Sequence, residues 1–334
     1  MLGLAKQLTS QGILGINRRN AEYTLRYNER RLYPLADDKL RTKMLAEKGH
    51  IAVPELYGVI RAVHEVRRLS ELLAPYSDFV VKPARGSGGD GILVIAERFK
   101  NRIYRNINGV LMDEAELKHH VLNILSGIYS LGGNLDKVLI EYRVQLDPVF
   151  EAVSYQGVPD IRIIVFLGVP VMGMIRLPTR MSGGKANLHQ GAIGVGLDLA
   201  TGVTLTGVCG NEIITEHPDT GNSLSGLEIP GWHILLELAA RCYELTGLGY
   251  QGVDIVLDKD KGPLMLELNA RPGLNIQIAN CDGLLLRLKQ VEKHREHLGS
   301  IEERVIFAKE QFGKAKGIGA IIPSIRSIRS SSPN

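Results

Sequence analysis

The alternation of apolar and polar positions divides the chain into short strands with helices between them. "DDKLRTKMLAEKGHIAVPE" reads as a helix beginning at Asp37 or Asp38, with Leu40, Met44 and Leu45 on its apolar face. Gly49 ends it, and Pro54 makes the following segment extended. β-Branched runs at 79–83, 92–96 and 137–142 predict strands, and a charged helix around 113–126 precedes the last of them. "DIRIIVFL" and "VMGMIRL" flank Gly168-Val169-Pro170 and predict a hairpin. Residues 232–246 place apolar side chains at 232, 235, 236, 239, 242 and 243, a helical stripe closed by Gly247. "GVDIVLDKDKGPLMLELNARPG" predicts a second hairpin. Residues 1–38 read as a basic helical segment ending near Pro34, and the Ser-, Gly- and Pro-rich stretch 314–334 reads as a flexible tail. Strands and helices mix without βαβ regularity, so the expected fold class is α+β.

Composition narrows the functional classes. A chain of 334 residues can hold two closely apposed subdomains, and 44% hydrophobic with 23% charged residues is ordinary for a globular protein. A formal charge of +4 favours small anionic ligands weakly and speaks against a polybasic nucleic-acid binder. Arg18, Arg19, Arg26, Arg30 and Arg31 cluster early and read as a solvated face. Cys209, Cys242 and Cys281 lack metal or disulfide spacing and read as buried or half-buried thiols in a reducing compartment. The N-terminus has no signal-peptide core, and the apolar run 163–175 is too short and too interrupted for a membrane span. A cytoplasmic protein is expected.

Chemistry begins at "FVVKPARGSGGDGILVI", which contains G-x-G-x-x-G from Gly86 to Gly91. A dinucleotide fingerprint needs a helix after the glycines, and a P-loop needs Lys directly after the last one. Here a strand-like "ILVI" follows, leaving strand–glycine loop–strand with Lys82 on the first strand. Such a loop can fold over a triphosphate, its N–H groups bonding phosphate oxygens. By itself it reads first as a surface hairpin whose glycines serve only turn geometry.

The second hairpin is more specific. If its loop at 258–262 sets Leu257 opposite Leu264, Asp254 falls opposite Glu267, and Asn269 shares that face. Val253, Ile255, Leu266 and Leu268 then point into the core. Two adjacent carboxylates repel unless a cation lies between them, and Asp, Glu and Asn oxygens suit Mg²⁺. The competing reading is an acidic solvent face.

These pieces in this order resemble the ATP-grasp superfamily, and within it relatives of the RimK-type α-L-glutamate ligases. The resemblance covers roughly 37–285 and is carried by "DDKLRTKMLAEKGHIAVPE", "VVKPARGSGGDGI", "VLIEY", "PDIRIIVF", "KANLHQGA", "GVDIV" and "LELNARPG". It implies an ATP-grasp fold, two α+β subdomains with the nucleotide between them: 39–140 with the glycine lid, and 141–300 with the metal site. For cofactors it implies ATP and Mg²⁺, with Mn²⁺ an alternative. Lys39 and Lys82 match ATP-contacting lysines, and Gly86, Ser87, Gly88, Gly89 and Gly91 the lid. Glu141 and Tyr142 match the adenine hinge, where Tyr142 would contribute backbone atoms, and Asp160 a nucleotide-contacting acid. Lys185, Ala186 and Asn187 match the segment closing over the nucleotide, and Asp254, Glu267 and Asn269 the metal ligands. Arg162 and Arg271 fall where a cation could stabilise an acyl phosphate.

The implied activity is ATP-dependent carboxylate–amine ligation, adding glutamate or a related amino acid to an amine on a small molecule or peptide. A phosphotransferase of the same fold and a catalytically silent nucleotide-binding partner module are the alternatives. Only 38 residues precede Lys39, where the usual relative has a whole domain that helps bind the acceptor. A protein partner completing that site and a homo-oligomer therefore both stay open. "RLPTRMSGG" at 176–184 also departs from the charged segment expected there.

Overall fold

Asp38 accepts hydrogen bonds from the backbone amides of Leu40 (3.1 Å) and Arg41 (3.2 Å), and this cap starts α1 (Lys39–Lys48) at the predicted place. The computed structural model describes residues 7–86, 88–100 and 102–313; Ser87 and the predicted tail at 314–334 lie outside the described residues. The apolar face expected for α1 is corrected. Its buried residues are Leu40, Thr42, Lys43 and Ala46, whereas Met44 is 51% exposed. The helix sits between two cores, Leu40 packing with Ala84 and Leu139 and Ala46 joining the other, so it has no single apolar stripe.

The strands form two antiparallel sheets. The first runs in the order β1 (Leu56–Ile60), β6 (Val138–Glu141), β2 (Phe79–Pro83), β3 (Leu93–Lys100), β4 (Ile103–Asn106), β5 (Leu111–Asp113). Phe79, Val81, Ile95, Val138 and Ile140 share its core with Leu117, Val121 and Ile124 of α2 (Glu114–Leu125). Asp113 and Glu116 begin α2 with a reciprocal capping box.

The second sheet has the order β11 (Glu212–Ile214), β10 (Thr204–Cys209), β9 (Ile193–Leu197), β8 (Val169–Leu177), β7 (Asp160–Phe166), β12 (Tyr250–Asp258), β13 (Gly262–Asn269). Both predicted hairpins are present within it. Its core takes in Leu235, Leu236 and Ala239 of α3 (Trp232–Thr246), which Gly247 closes in the left-handed conformation. α4 (Asn275–Asn280), α5 (Leu284–His294) and α6 (Ile301–Phe312) pack against the same sheet.

The early basic segment is corrected in part. Arg26, Arg30 and Arg31 are exposed, but Arg19 is buried and donates to the Pro272 carbonyl at 2.6 Å. Helical residues also continue past Pro34, through Pro34–Asp37. Tyr23 and Tyr27 meet Phe166 edge-on, and Asn28 bonds both backbone groups of Tyr250. Those contacts bind the segment to the second sheet. Cys242 is buried and Cys209 half-buried, but Cys281, at the end of α4, is exposed. Among the described residues no helix is long and apolar enough to cross a membrane.

Candidate active site

Two β-bulges set the register of the polar face on the second sheet. In the β12–β13 hairpin Leu257 pairs with Pro263 and Val256 with Leu264, so the expected Leu257–Leu264 pairing is off by one residue. A bulge between Asp254 and Ile255 on β12 and their partners on β13 then restores the Asp254–Glu267 pair. Leu266 is the extra residue: it is half-buried rather than in the core, and Met265 is buried instead. Without the bulge Asp254 would face Leu266 and the two carboxylates would lie on opposite faces. The β7–β8 hairpin repeats the device. Phe166 pairs with Val169, and a bulge between Ile164 and Val165 and their partners on β8 brings Asp160 opposite Arg176.

With that register the charged side chains interlock. Asp254 is buried, and Arg162 donates to it through Nε (2.7 Å) and Nη2 (2.5 Å). Arg176 Nη2 reaches the same carboxylate at 2.9 Å while holding Asp160 through Nε and Nη2. Burial works against the Asp254 charge, yet Arg162 and then Arg176 hold its pKa well below the usual carboxylate range. Asp160 goes the other way, burial pushing it up to about 6 against the pull of Arg176.

The open end of the cluster carries the remaining ligand candidates. Asn269 Nδ2 lies 3.3 Å from Asp254 Oδ2 and 3.5 Å from Glu267 Oε1, the position a shared cation would favour. A half-turn of the amide presents Oδ1 instead, giving an all-oxygen set; the arginines take both lone pairs of Asp254 Oδ2 but leave one on its Oδ1 and those of Glu267. Asp254, Glu267 and Asn269 therefore fit a hard divalent cation by donor chemistry. Lys39 joins this end to the glycine loop, its Nζ 3.3 Å from Glu267 Oε2 and donating to the Gly86 carbonyl at 2.6 Å.

The loop lies between strands, as read. Gly88, Gly89 and Gly91 have φ of 66°, 83° and 73°, a region that side chains other than glycine adopt at a cost. Asn187 Nδ2 donates to the Gly88 carbonyl at 2.8 Å, and His120 Nε2 lies 3.0 Å from the Gly91 carbonyl. Gly89, Gly91, His120, Tyr129 and Lys185 are among the residues lining a cavity of about 500 Å³ beside the loop. Lys185 and Asn187 thus come from a distant segment to the edge of the glycine loop.

At the end of β6 Glu141 is buried between two lysines. Lys82 pairs with its Oε1, and Lys43 Nζ lies 2.8 Å from Oε2. The Tyr142 amide donates to the Glu55 carbonyl at 2.9 Å, and Lys261 Nζ sits 4.0 Å from the Tyr142 ring centroid. Arg271 stands apart from the Asp254 network: its side chain is 55% exposed, 3.8 Å from Asp37 and stacked on Tyr33. Arg176, Lys43 and His120 were not singled out from the sequence. Lys43 lies one helical turn from Lys39, and Arg176 faces Asp160 only once the β7–β8 bulge is known.

A family model described as sugar-transfer associated ATP-grasp matches residues 18–293. By structure the chain is similar to the ATP-grasp ligase PsnB complexed with minimal precursor, at 15% identity and a TM-score of 0.43 over 81% of this chain and 63% of that one. It is similar to the D-cycloserine synthetase DcsG at 16% identity and a TM-score of 0.44, over 79% and 72% of the two chains. The VanG D-Ala:D-Ser ligase from Enterococcus faecalis gives 14% identity and a TM-score of 0.44, over 78% and 62%. The chain thus spans less than two thirds of the PsnB and VanG chains. No curated protein matches it by sequence.

Proposed function

The chain belongs to the sugar-transfer associated ATP-grasp family and has the ATP-grasp fold, and from that premise we propose that it is an ATP-dependent carboxylate–amine ligase. The observation that carries this reading is Lys39, whose ammonium touches both the glycine-loop carbonyl of Gly86 and the acidic hairpin at Glu267. One cation thereby connects a phosphate-cradling lid with a metal-binding face, the arrangement needed to hold a triphosphate by its tail.

A carboxylate does not acylate an amine at neutral pH, so ATP activates it as an acyl phosphate, which the amine then attacks with loss of phosphate. The chain's share is positioning and charge neutralisation. Asp254, Glu267 and Asn269 would hold Mg²⁺, which would supply positive charge to the phosphates of the nucleotide. Lys39 and Lys82 would bind phosphate oxygens at the lid, and the glycine amides would complete the cradle. Closed by Asn187 and His120, the lid would exclude the water that hydrolyses an acyl phosphate. Arg162 would orient Asp254 and Arg176 would orient Asp160, leaving Arg271, more exposed, to meet the substrate.

Glutamate or a related amino acid as the carboxylate rests on the resemblance to RimK-type ligases. Because the family is described as sugar-transfer associated, amino sugars join amino acids and peptides among the acceptors to screen. The test is phosphate release across that screen, with mass spectrometry of the product. Free phosphate with an amide product supports ligation. ADP with a phosphorylated product and no free phosphate identifies a phosphotransferase instead. ATP binding with no ADP formed on any acceptor leaves a nucleotide-binding module.

A further inference from the structure

Lys43, Glu141 and Lys82 form a buried line of alternating charge, exposed by 4%, 3% and 5%. The flanking lysines are held differently. Lys43 pairs with Glu141 at 2.8 Å and also donates to the Pro54 carbonyl, which anchors it to the start of the first sheet. For Lys82, Glu141 is the one ion-pair partner among the described residues. The triad carries one positive charge in excess, in a setting where a lone charge is strongly unfavourable. Burial lowers the Lys43 pKa and raises that of Glu141, but the pairing opposes both, and Lys82 and Lys43 together hold Glu141 below its ordinary value.

A nucleotide phosphate competes with Glu141 for the Lys82 ammonium, and full pairing with the phosphate moves Lys82 away from the carboxylate. Without a second cation that movement would strand a buried carboxylate, and Glu141 would keep Lys82 for itself. We propose that Lys43 is a positioning residue, the standing counter-ion of Glu141, which releases Lys82 to a nucleotide phosphate. This rests on the reading of Lys82 as a phosphate-binding lysine. When Lys82 moves, two neutral pairs remain, Lys43 with Glu141 and Lys82 with phosphate, and the excess charge of the empty triad is used on the ligand.

Titration calorimetry with MgATP on purified variants tests this, with thermal melts to establish folding. Lys43→Met is expected to weaken ATP binding by about tenfold or more, because Glu141 then holds Lys82. Adding Glu141→Gln is expected to rescue affinity to within about threefold of Glu141→Gln alone, the reference that carries any loss of Glu141's own contact at the adenine, since a neutral amide no longer competes for Lys82. A merely structural Lys43 would show no such rescue. If Lys43→Met does not fold, Glu141→Gln and the double variant are compared directly. In the Glu141→Gln background loss of Lys43 is expected to change affinity by less than about threefold. A folded double variant that binds ATP about tenfold or more weakly than Glu141→Gln alone, or a folded Lys43→Met that binds like wild type, overturns the inference. Lys82→Met tests the underlying reading separately: undiminished ATP affinity there removes the role assigned to Lys82, whatever Lys43 does.

Discussion

Arg176 Nη2 lies 2.9 Å from Asp254 Oδ2 although their strands, β8 and β12, are separated by β7. The guanidinium spans the central strand and neutralises a carboxylate on each of two strands, since it also holds Asp160. Replacing it with Met leaves Asp160 buried without its partner. Arg176→Met should therefore reduce the unfolding free energy by about 3–5 kcal/mol, read by urea denaturation. Adding Asp160→Asn should recover part of that loss. A change in the single variant within the ordinary range of surface substitutions would show that the network contributes little.

Turnover should depend on the lid lysine and the hairpin carboxylate. Lys82→Ala and Glu267→Ala should each bring ATP turnover to background while circular dichroism shows an intact fold. Chelation by EDTA should do the same to the wild-type protein, with recovery on adding Mg²⁺ or Mn²⁺. Full turnover by purified Glu267→Ala would remove the metal assignment.

The glycine lid should tolerate side chains unevenly. A Cβ on Gly91 would meet the Tyr129 ring at 2.6 Å, at φ +73°. Gly109 has the same backbone sign, φ +81°, but nothing within 4 Å. Gly91→Ala should raise the KM for ATP and destabilise the protein by about 1–3 kcal/mol, whereas Gly109→Ala shows only the smaller backbone cost. Equal effects of the two on KM would mean that the lid's packing on Tyr129 does not matter.

His120 gives the lid an acid sensitivity. Burial lowers its pKa from the usual 6.5, and its bond to the Gly91 carbonyl opposes the shift only in part. The native state therefore resists protonation while the unfolded chain accepts it. Stability from this group is complete above about pH 6.5 and is lost as pH falls through the lower folded-state value. Denaturation midpoints measured from pH 7.5 to 5 should fall less steeply in His120→Gln than in wild type. Parallel slopes would exclude His120 as the source. (The neighbouring His119 also lowers the His120 value and is kept in both proteins.)

Most of the secondary structure was legible because its signals are local. Asp38 and Gly49 bound α1, Gly247 ends α3, and the two hairpins follow from apolar runs around tight turns. The misreadings share a cause. Met44 was placed inside and Leu266 in the core because simple periodicity assumes one buried face and an unbroken ladder. α1 instead lies between two cores, and β13 carries an extra residue. Arg19 likewise looked solvated, since nothing nearby in sequence reveals the Pro272 carbonyl that receives it.

The sequence by itself determined which residue types could do the chemistry and the order in which they occur: glycines between strands, a lysine before them, and Asp, Glu and Asn on one hairpin. Tertiary structure decided which of them meet. Bulges of one residue put Asp254 beside Glu267 and Asp160 beside Arg176, and chain folding brought Lys39 to Gly86 and Lys43 to Glu141. The reason is physical. Local propensities fix backbone conformation over a few residues, but in a strand a shift of one residue turns every side chain to the other face, and only packing against distant strands selects the register.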